Sequence, residues 1–489
     1  MDGLQVLDVV KKINPWLKNG KIPDAQLEPF KRREFHRLEK DLNKLDMMTL
    51  IIGARRVGKS VLMYQLINSL LQKGVNPKRI LFIQGDNTLL TEYAVAGNLI
   101  TFILDLYQKY ILEKNFDDII KPVYIFLDEA QSLKSWDREI KTIIDQKYKI
   151  KFIVTGSSSF ELRRGSKNPL TGRVILQPIS PFSFADYARY NINKNEKEGF
   201  ESTIQSLSNK FRESLLKGDI NSTFSIAGKA EKLVTKYGLS KKFENYLFYG
   251  GFPRIVANKH EDHARYLRDL LTSTISKDIL THVEIRDPQA FERLMVNMCL
   301  MAGNIIKYKK FSDVLGVEER TVIKYIDYYV ETHWAFVSSP YIFSSKLDSV
   351  STDKKFYVID SGVINTLAFK DINEFKLDRM HKGHVLENVI HNHLLAFKQE
   401  TVGIFQSSIG FWIEKETSKE IDFVFEIKSG VLPIEVKLKI SHDDSDGDAL
   451  KVFLAKRSSA KFGILTTEDT LEVKKKLLLI PSLIFTLLL

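Results

Sequence analysis

The run GARRVGKS, Gly53 to Ser60, has the spacing G-x-x-x-x-G-K-[ST] and stands between the apolar TLII and the helical VLMYQLINSLLQ. Residues of these types can hold a phosphate chain. The glycines let backbone amides wrap a β-phosphate at a helix N-terminus, Lys59 reaches the β- and γ-phosphates, and Ser60 gives an oxygen to Mg2+. Gly53, Ala54, Arg55, Arg56, Val57, Gly58, Lys59, Ser60 and Val61 are the candidate nucleotide-binding residues, with ATP and Mg2+ as the implied cofactors. Arg55 and Arg56 contact nucleotide, a neighbour or only the local helix. Further along, VYIFLDEAQ reads as a buried strand ending in Asp128 and Glu129. One carboxylate can complete the Mg2+ shell, and the next can orient or deprotonate the water that attacks the γ-phosphate. KFIVTGSSS ends another strand in Thr155, Gly156 and Ser157, where a hydroxyl can sense that phosphate. Arg163, Arg164 and Arg173 follow, and any of them could neutralise charge in phosphoryl transfer, within the chain or on a neighbouring subunit. Arg173 in LTGRVIL is the favoured finger; the alternative is a plain basic surface.

A second set of chemical residues lies in EIDFVFEIKSGVLPIEVKLK, residues 420 to 439, which reads as a hairpin. With Ser429-Gly430 as a two-residue turn, Phe425 faces Ile434, Phe423 faces Val436 and Ile421 faces Leu438, so one side is apolar. The other side then carries Asp422 opposite Lys437, with Glu435 one position along. These residues form either cross-strand ion pairs, Glu420 with Lys439 and Asp422 with Lys437, or a metal-dependent phosphodiesterase site. In the second case the carboxylates hold Mg2+ or Mn2+ and the lysine steadies water or phosphate.

KKFSDVLGVEERTVIKYIDYYVETHWAFVSSPY, residues 309 to 341, has the layout of a helix-turn-helix followed by a wing. Val322, Ile326 and Tyr329 form its inward stripe. Arg320, Thr321 and Lys324 project outward, available to DNA, although Glu318, Glu319, Asp327 and Glu331 dilute the positive field. The competing role is packing between domains.

The elements that must position these groups suggest several domains, since 489 residues exceed what one hydrophobic core serves. From residue 46 to 185, β-rich runs alternate with helical stretches, the pattern of a parallel sheet covered on both faces. The expected segments are a helical N-terminus (1–45), the P-loop ATPase core (46–185), a polar helical lid (186–288), a winged helix (289–345) and a last α/β domain (354–489). Lys and Arg outnumber Asp and Glu by 72 to 61, a formal charge of +11 that favours a polyanionic partner such as DNA. Cys299 is the only cysteine, which excludes an intrachain disulfide framework and a cysteine-rich zinc site and fits a reducing, cytoplasmic setting. The start lacks the layout of a signal peptide. The closing LLLIPSLIFTLLL is shorter than the roughly 20 residues that span a bilayer, so it is expected to form one or two buried strands, with no membrane partner.

GARRVGKS, LDEAQ, VTGSSS, LTGR, YGGFPRIV, the helix-turn-helix, FYVIDSGV, GHVLENVIHNHL and IDFVF…IEVK follow one another in an order that resembles archaeal and bacterial AAA-type ATPases carrying a C-terminal PD-(D/E)XK nuclease-like domain. The resemblance implies an α/β multidomain fold: an AAA-like parallel sheet, a helical lid, a winged helix and a restriction-endonuclease-like domain. It also implies a nuclease site of Glu387, Asp422, Glu435 and Lys437, with Glu387, Asp422 and Glu435 as metal ligands. Ile421 stands where the motif has proline. His384, His391 and His393 are expected to be structural or solvent-facing. Two functions compete. One is an ATP-dependent, metal-requiring endo- or exodeoxyribonuclease in repair, recombination or mobile-element and defence processes. The other is a nucleotide-switched, self-associating regulator that binds DNA or protein through a catalytically silent nuclease-like domain.

Overall fold

The computed structural model describes residues 3–92, 98–156, 172–258, 262–280, 283–341, 353–402, 409–414, 416–427, 429–439 and 446–489. The chain divides into two compact units, Met1–Ile179 and Ser180–Leu489.

The five β-rich runs expected in the first unit are all strands: β1 (Met48–Ile52), β2 (Ile80–Gln84), β3 (Val123–Asp128), β4 (Ile150–Gly156) and β5 (Val174–Pro178). They form one parallel sheet in the order β2-β3-β4-β1-β5. Every residue of β1, β3 and β4 is buried, as expected for strands covered on both faces. The N-terminal segment is part of this unit. Asn14 donates to Phe82 O at 2.8 Å and accepts from Phe82 N at 2.6 Å, and Trp16 Nε1 donates to Ile80 O at 3.0 Å. These side chains satisfy the outer edge of β2, a row of backbone groups that would otherwise pair with another chain.

The second unit begins with helices. Lys194–Lys217, Ile220–Lys236, Leu239–Tyr249 and His263–Thr274 fill the region expected to be polar and helical. The helix pair Tyr308–Leu315 and Glu319–Glu331 turns at Gly316, and Val322, Ile326 and Tyr329 are buried as expected. Beside it, β6 (Ile305–Lys307), β7 (Ala335–Ser338) and β8 (Asp353–Val358) form an antiparallel sheet in the order β6-β8-β7. A boundary at residue 354 would cut this sheet, because β8 completes the strands before it rather than opening the last domain.

The other sheet has six strands: β9 (Gly410–Ile413), β10 (Glu420–Ile427), β11 (Gly430–Val436), β12 (Gly463–Thr467), β13 (Glu472–Lys474) and β14 (Leu477–Pro481), in the order β13-β14-β12-β11-β10-β9. After β14 the chain does not continue as a strand. Pro481 ends it and Ser482–Leu488 is a buried helix, with Ser208 Oγ donating to Leu488 O at 2.9 Å. Among the described residues, no helix is long and apolar enough to cross a membrane.

Asp360 ties the YGGF loop to the start of the helix Ser361–Leu367, accepting from Gly251 N at 2.7 Å and Gly362 N at 2.9 Å. Burial pushes its carboxyl up to about 6 despite those donors. The folded chain therefore holds this proton more tightly than the unfolded chain, where an aspartate titrates near about 3.9. Its contribution to stability is complete below about pH 4 and declines as the pH rises through 6. Urea unfolding should show the stability difference between wild type and Asp360→Asn falling over that window, and a pH-independent difference would refute the assignment.

Candidate functional site

The helix Lys59–Gln72 starts where the GARRVGKS loop ends, so its N-terminal amides face the loop's concavity. Gly53 is squeezed: a Cβ there would lie 2.1 Å from Ile179 O, while Ile179 N donates to Ile52 O at 2.8 Å. Lys59 is buried, and its Nζ donates to Gly53 O at 2.9 Å and Ala54 O at 3.0 Å, which sets the ammonium across the loop. Arg55 is half-buried, Arg56 is exposed at φ 61°, Val57 is buried and Val61 is 37% exposed.

In the strand order, β4 lies between the strand leading into the loop and the strand ending in Asp128. Thr155, at the end of β4, can therefore reach Asp128 and Glu129. Its hydroxyl donates to Asp128 Oδ1 and accepts from Glu129 N at 2.9 Å. The Ser60 hydroxyl also hydrogen-bonds Asp128. Burial raises the Asp128 carboxyl, while Thr155, Ser60 and the Lys59 charge pull it down and Glu129 pushes it up. A hydroxyl and a carboxylate in contact at the mouth of a phosphate loop suit Mg2+, so Ser60 and Asp128 fit that ion. Thr155 is fully buried and holds the two acids rather than facing a phosphate.

Arg32 was not legible as part of this site. Its Nη1 donates to Val57 O at 2.9 Å and its Nε pairs with Glu34 at 2.8 Å, so the N-terminal segment braces the loop. Burial would raise the Glu34 carboxyl, but Arg32 and Arg37 outweigh it and bring it down to about 2.

Arg173 is not near the phosphate loop of its own chain. Met48 pairs with Val174, so Arg173 stands at the N-terminal end of the sheet, whereas the loop follows Ile52 at the other end. The five residues of β1 separate the two, about 20 Å, and Arg173 pairs with Asp145 at 2.8 Å. A parallel strand delivers its two ends to opposite sides of a sheet, and sequence proximity to β4 hides this. Arg163, Arg164 and Ser157 lie outside the described residues.

The C-terminal acids come together, but not as expected. The hairpin pairs Phe423 with Ile434, Phe425 with Leu432 and Ile427 with Gly430, two residues away from the register set by a Ser429-Gly430 turn. Gly430 is a strand residue, and Ser459 O approaches its backbone so closely that a Cβ there would lie 1.9 Å from that oxygen. A shift of two preserves the faces, so the apolar side stays buried. The cross-strand partners change, however. Extending the register sets Asp422 beside Glu435 rather than Lys437, and Asp422 Oδ2 accepts from Val436 N at 2.8 Å. Lys437, one residue past β11, pairs with Glu435 at 3.0 Å.

The cation on Asp422 is Lys355, a residue the sequence did not single out. From β8, its Nζ lies 2.8 Å from Glu387 Oε1, 2.5 Å from Glu420 Oε1 and 3.1 Å from Asp422 Oδ1, and its side chain is 1% exposed. Asn388 positions Glu387 by exchanging hydrogen bonds with Val358 N and O at 2.7 and 2.8 Å, and Tyr357 donates to Glu387 at 2.9 Å. Burial raises the Glu387 carboxyl to about 7, opposed by Lys355 and reinforced by Asp422. Burial would lower the Lys355 ammonium, but Tyr357 and the three acids hold it well above its ordinary value. Both Asp422 oxygens and one Glu435 oxygen are thus engaged, and among the described residues no three acidic, histidine or cysteine groups could together hold a metal ion. Glu387, Asp422 and Glu435 do not fit Mg2+ or Mn2+ as they stand.

The neighbouring histidines are structural. His391 stacks on Tyr357 with centroids 3.9 Å apart, and burial lowers it to about 4. His393 accepts from Phe184 N at 3.0 Å. Arg320 and Lys324 are exposed on the helix Glu319–Glu331, and Thr321 is half-buried.

Residues 46–188 match the family model described as an AAA domain. Residues 240–374 and 382–485 match two models described as domains of unknown function, DUF8612 and DUF4143. The chain is similar to an uncharacterized protein of Methanocaldococcus jannaschii, 23% identical over 383 residues that cover 77% of this chain and 71% of that protein. It is also similar to one of Haemophilus influenzae, 22% identical over 410 residues that cover 83% and 86% of the two chains. Among solved structures, the Walker-type ATPase of Pyrococcus abyssi aligns with 69% of this chain and 96% of its own, at 19% identity and a TM-score of 0.36. With the phosphate loop, the strand order and the matched family model in agreement, the segment 46–188 is an AAA-type P-loop ATPase domain.

Proposed function

We propose that the chain is an ATP-driven switch that engages DNA and whose C-terminal nuclease-like domain docks rather than cuts. Lys59 and the loop amides bind the phosphates, Ser60 and Asp128 hold Mg2+, and Glu129 orients the attacking water. The ion, when bound, would supply neutralisation of the phosphate charge. Thr155 fixes the spacing of the two acids. The finger comes from a neighbouring chain, for which Arg173 is one source, so hydrolysis accompanies self-association.

DNA is the partner that the +11 charge, the exposed Arg320 and Lys324 and the half-buried Thr321 support, with residues 289–345 acting as a winged helix. Lys355 carries the non-cutting part, since its ammonium engages two of the three acids that a nuclease would offer to a metal, Glu387 and Asp422. One observation favours the cutting alternative: Glu435 Oε2 is buried with no hydrogen-bond partner. That alternative requires Lys355 to leave the cluster.

Fluorescence anisotropy with duplex and forked DNA, with and without a non-hydrolysable ATP analogue, tests the switch. The affinity should change by about 5- to 150-fold on nucleotide binding, and Lys59→Ala should erase the change. Replacing Arg320 and Lys324 together by alanine should reduce the salt slope by about 2. Equal affinity with and without nucleotide sinks the switch, and Mn2+-dependent cleavage abolished by Lys437→Ala sinks the non-cutting reading.

A further inference from the structure

We propose that Lys355 is a built-in counter-cation occupying the place of a divalent ion among Glu387, Glu420 and Asp422, and that a neutral side chain there turns the cluster into a divalent-cation site. The proposal rests on the non-cutting reading of the same domain. Three separate elements converge on one point: Glu387 from the helix Arg379–Val402, Glu420 and Asp422 from β10, and Lys355 from β8 of the other sheet. An ammonium has three protons to donate, and three carboxylates stand within 3.1 Å to receive them. Oxygen ligands gathered from different elements around a single positive centre are also what a hard divalent cation selects.

The ammonium is not a mobile visitor. Phe356, Tyr357 and Val358 next to it on β8 are fully buried, and Asn388 clamps Val358 from the glutamate helix. The backbone that carries Lys355 is thereby held in its sheet. The charge therefore ties the three-stranded sheet to the six-stranded one and makes metal unnecessary for that link. A further carboxylate adjoins the cluster at Asp422. Glu435 sits beside Asp422, is 94% buried, and its Oε2 has no hydrogen-bond partner, so an oxygen stands ready for a cation once one can enter. Removing Lys355 leaves buried carboxylates without their partner, a state proteins avoid by taking up a cation or a proton.

The test uses the full-length chain without nucleotide and Mn2+ as the probe, with free Mn2+ read by electron paramagnetic resonance and unfolding followed by heat. Subtracting the same measurement on Asp422→Asn isolates this cluster from the phosphate loop. Wild type should bind no Mn2+ that Asp422→Asn removes, and Mn2+ should not shift its unfolding through this site. Lys355→Ala should unfold several degrees lower in chelator, bind about one equivalent, recover stability with Mn2+, and lose both gains in the double variant with Asp422→Asn. A folded Lys355→Ala chain that takes up no Mn2+ overturns the proposal. So does Mn2+ binding by wild type that depends on Asp422, a comparison that holds even if Lys355→Ala does not fold. DNA cleavage assayed on the same wild-type sample is a separate readout: cleavage defeats the non-cutting reading, whereas absent cleavage with an inert Lys355→Ala defeats only the counter-cation.

Discussion

Glu129→Gln is expected to lower ATP turnover by about 10²- to 10⁴-fold while leaving nucleotide binding close to that of wild type. The carboxylate stands one residue beyond β3, on a backbone turned to φ 51°, with its N–H held by Thr155 Oγ1 at 2.9 Å. That geometry fixes its Cα beside Asp128, so the amide replaces the carboxylate without moving the loop. Glutamine can still hydrogen-bond water but cannot accept its proton, which removes a contribution made in the transition state rather than in binding. Asp128→Asn should behave differently, because loss of the Ser60 and Asp128 pair weakens Mg2+ and with it the affinity for the nucleotide. Steady-state phosphate release and equilibrium titration with a fluorescent ATP analogue separate the two. Unchanged turnover in Glu129→Gln would mean that another group activates the water.

Gly53→Ala is expected to cost the first unit about 1–3 kcal/mol and to reduce turnover by about 10²-fold. The added carbon would lie 2.1 Å from Ile179 O and 3.1 Å from its carbonyl carbon. Both are backbone atoms, so no side chain can rotate away. Relief requires either the start of the loop to lift or the bond from Ile179 N to Ile52 O to lengthen, and either displaces the amides that face phosphate. Gly199→Ala is the control, since a Cβ there meets nothing within 4 Å. Urea unfolding and ATP binding measured on both variants check this. Normal ATP affinity in Gly53→Ala would show that the loop closes by another path.

The sequence legibly contained what depends on neighbours along the chain. The phosphate loop, its strand and its helix are contiguous, as are β3 with Asp128 and Glu129, and β4 with Thr155, so their spacing alone assigned them. The apolar faces of the C-terminal hairpin were legible for the same reason, because alternation has period two and survives a register shift of two. The partners across the hairpin were not. Gly430 pairs within the strand where Ser459 O, from a segment well beyond the turn, comes up against it. Of the two roles open to Arg173, only the one within its own chain is removed, because a strand's two ends are close in sequence but lie on opposite edges of a sheet. The closing LIFTLL satisfied the composition of a strand equally well, and Pro481 together with the helices it packs on made it a helix.

Lys355 marks the limit most clearly. In DKKFYVID it looks like a solvated lysine at the start of a strand. Sequence by itself determined that Asp422, Glu435 and Lys437 were worth watching, since residue types and local periodicity fix which side chains share a face, while Glu387 entered through the family resemblance. Only the tertiary structure decided which cation meets those acids. That choice was made by the order β6-β8-β7, which buries Lys355 against the glutamate helix, and the energy of a buried charge is set by partners that no local pattern specifies.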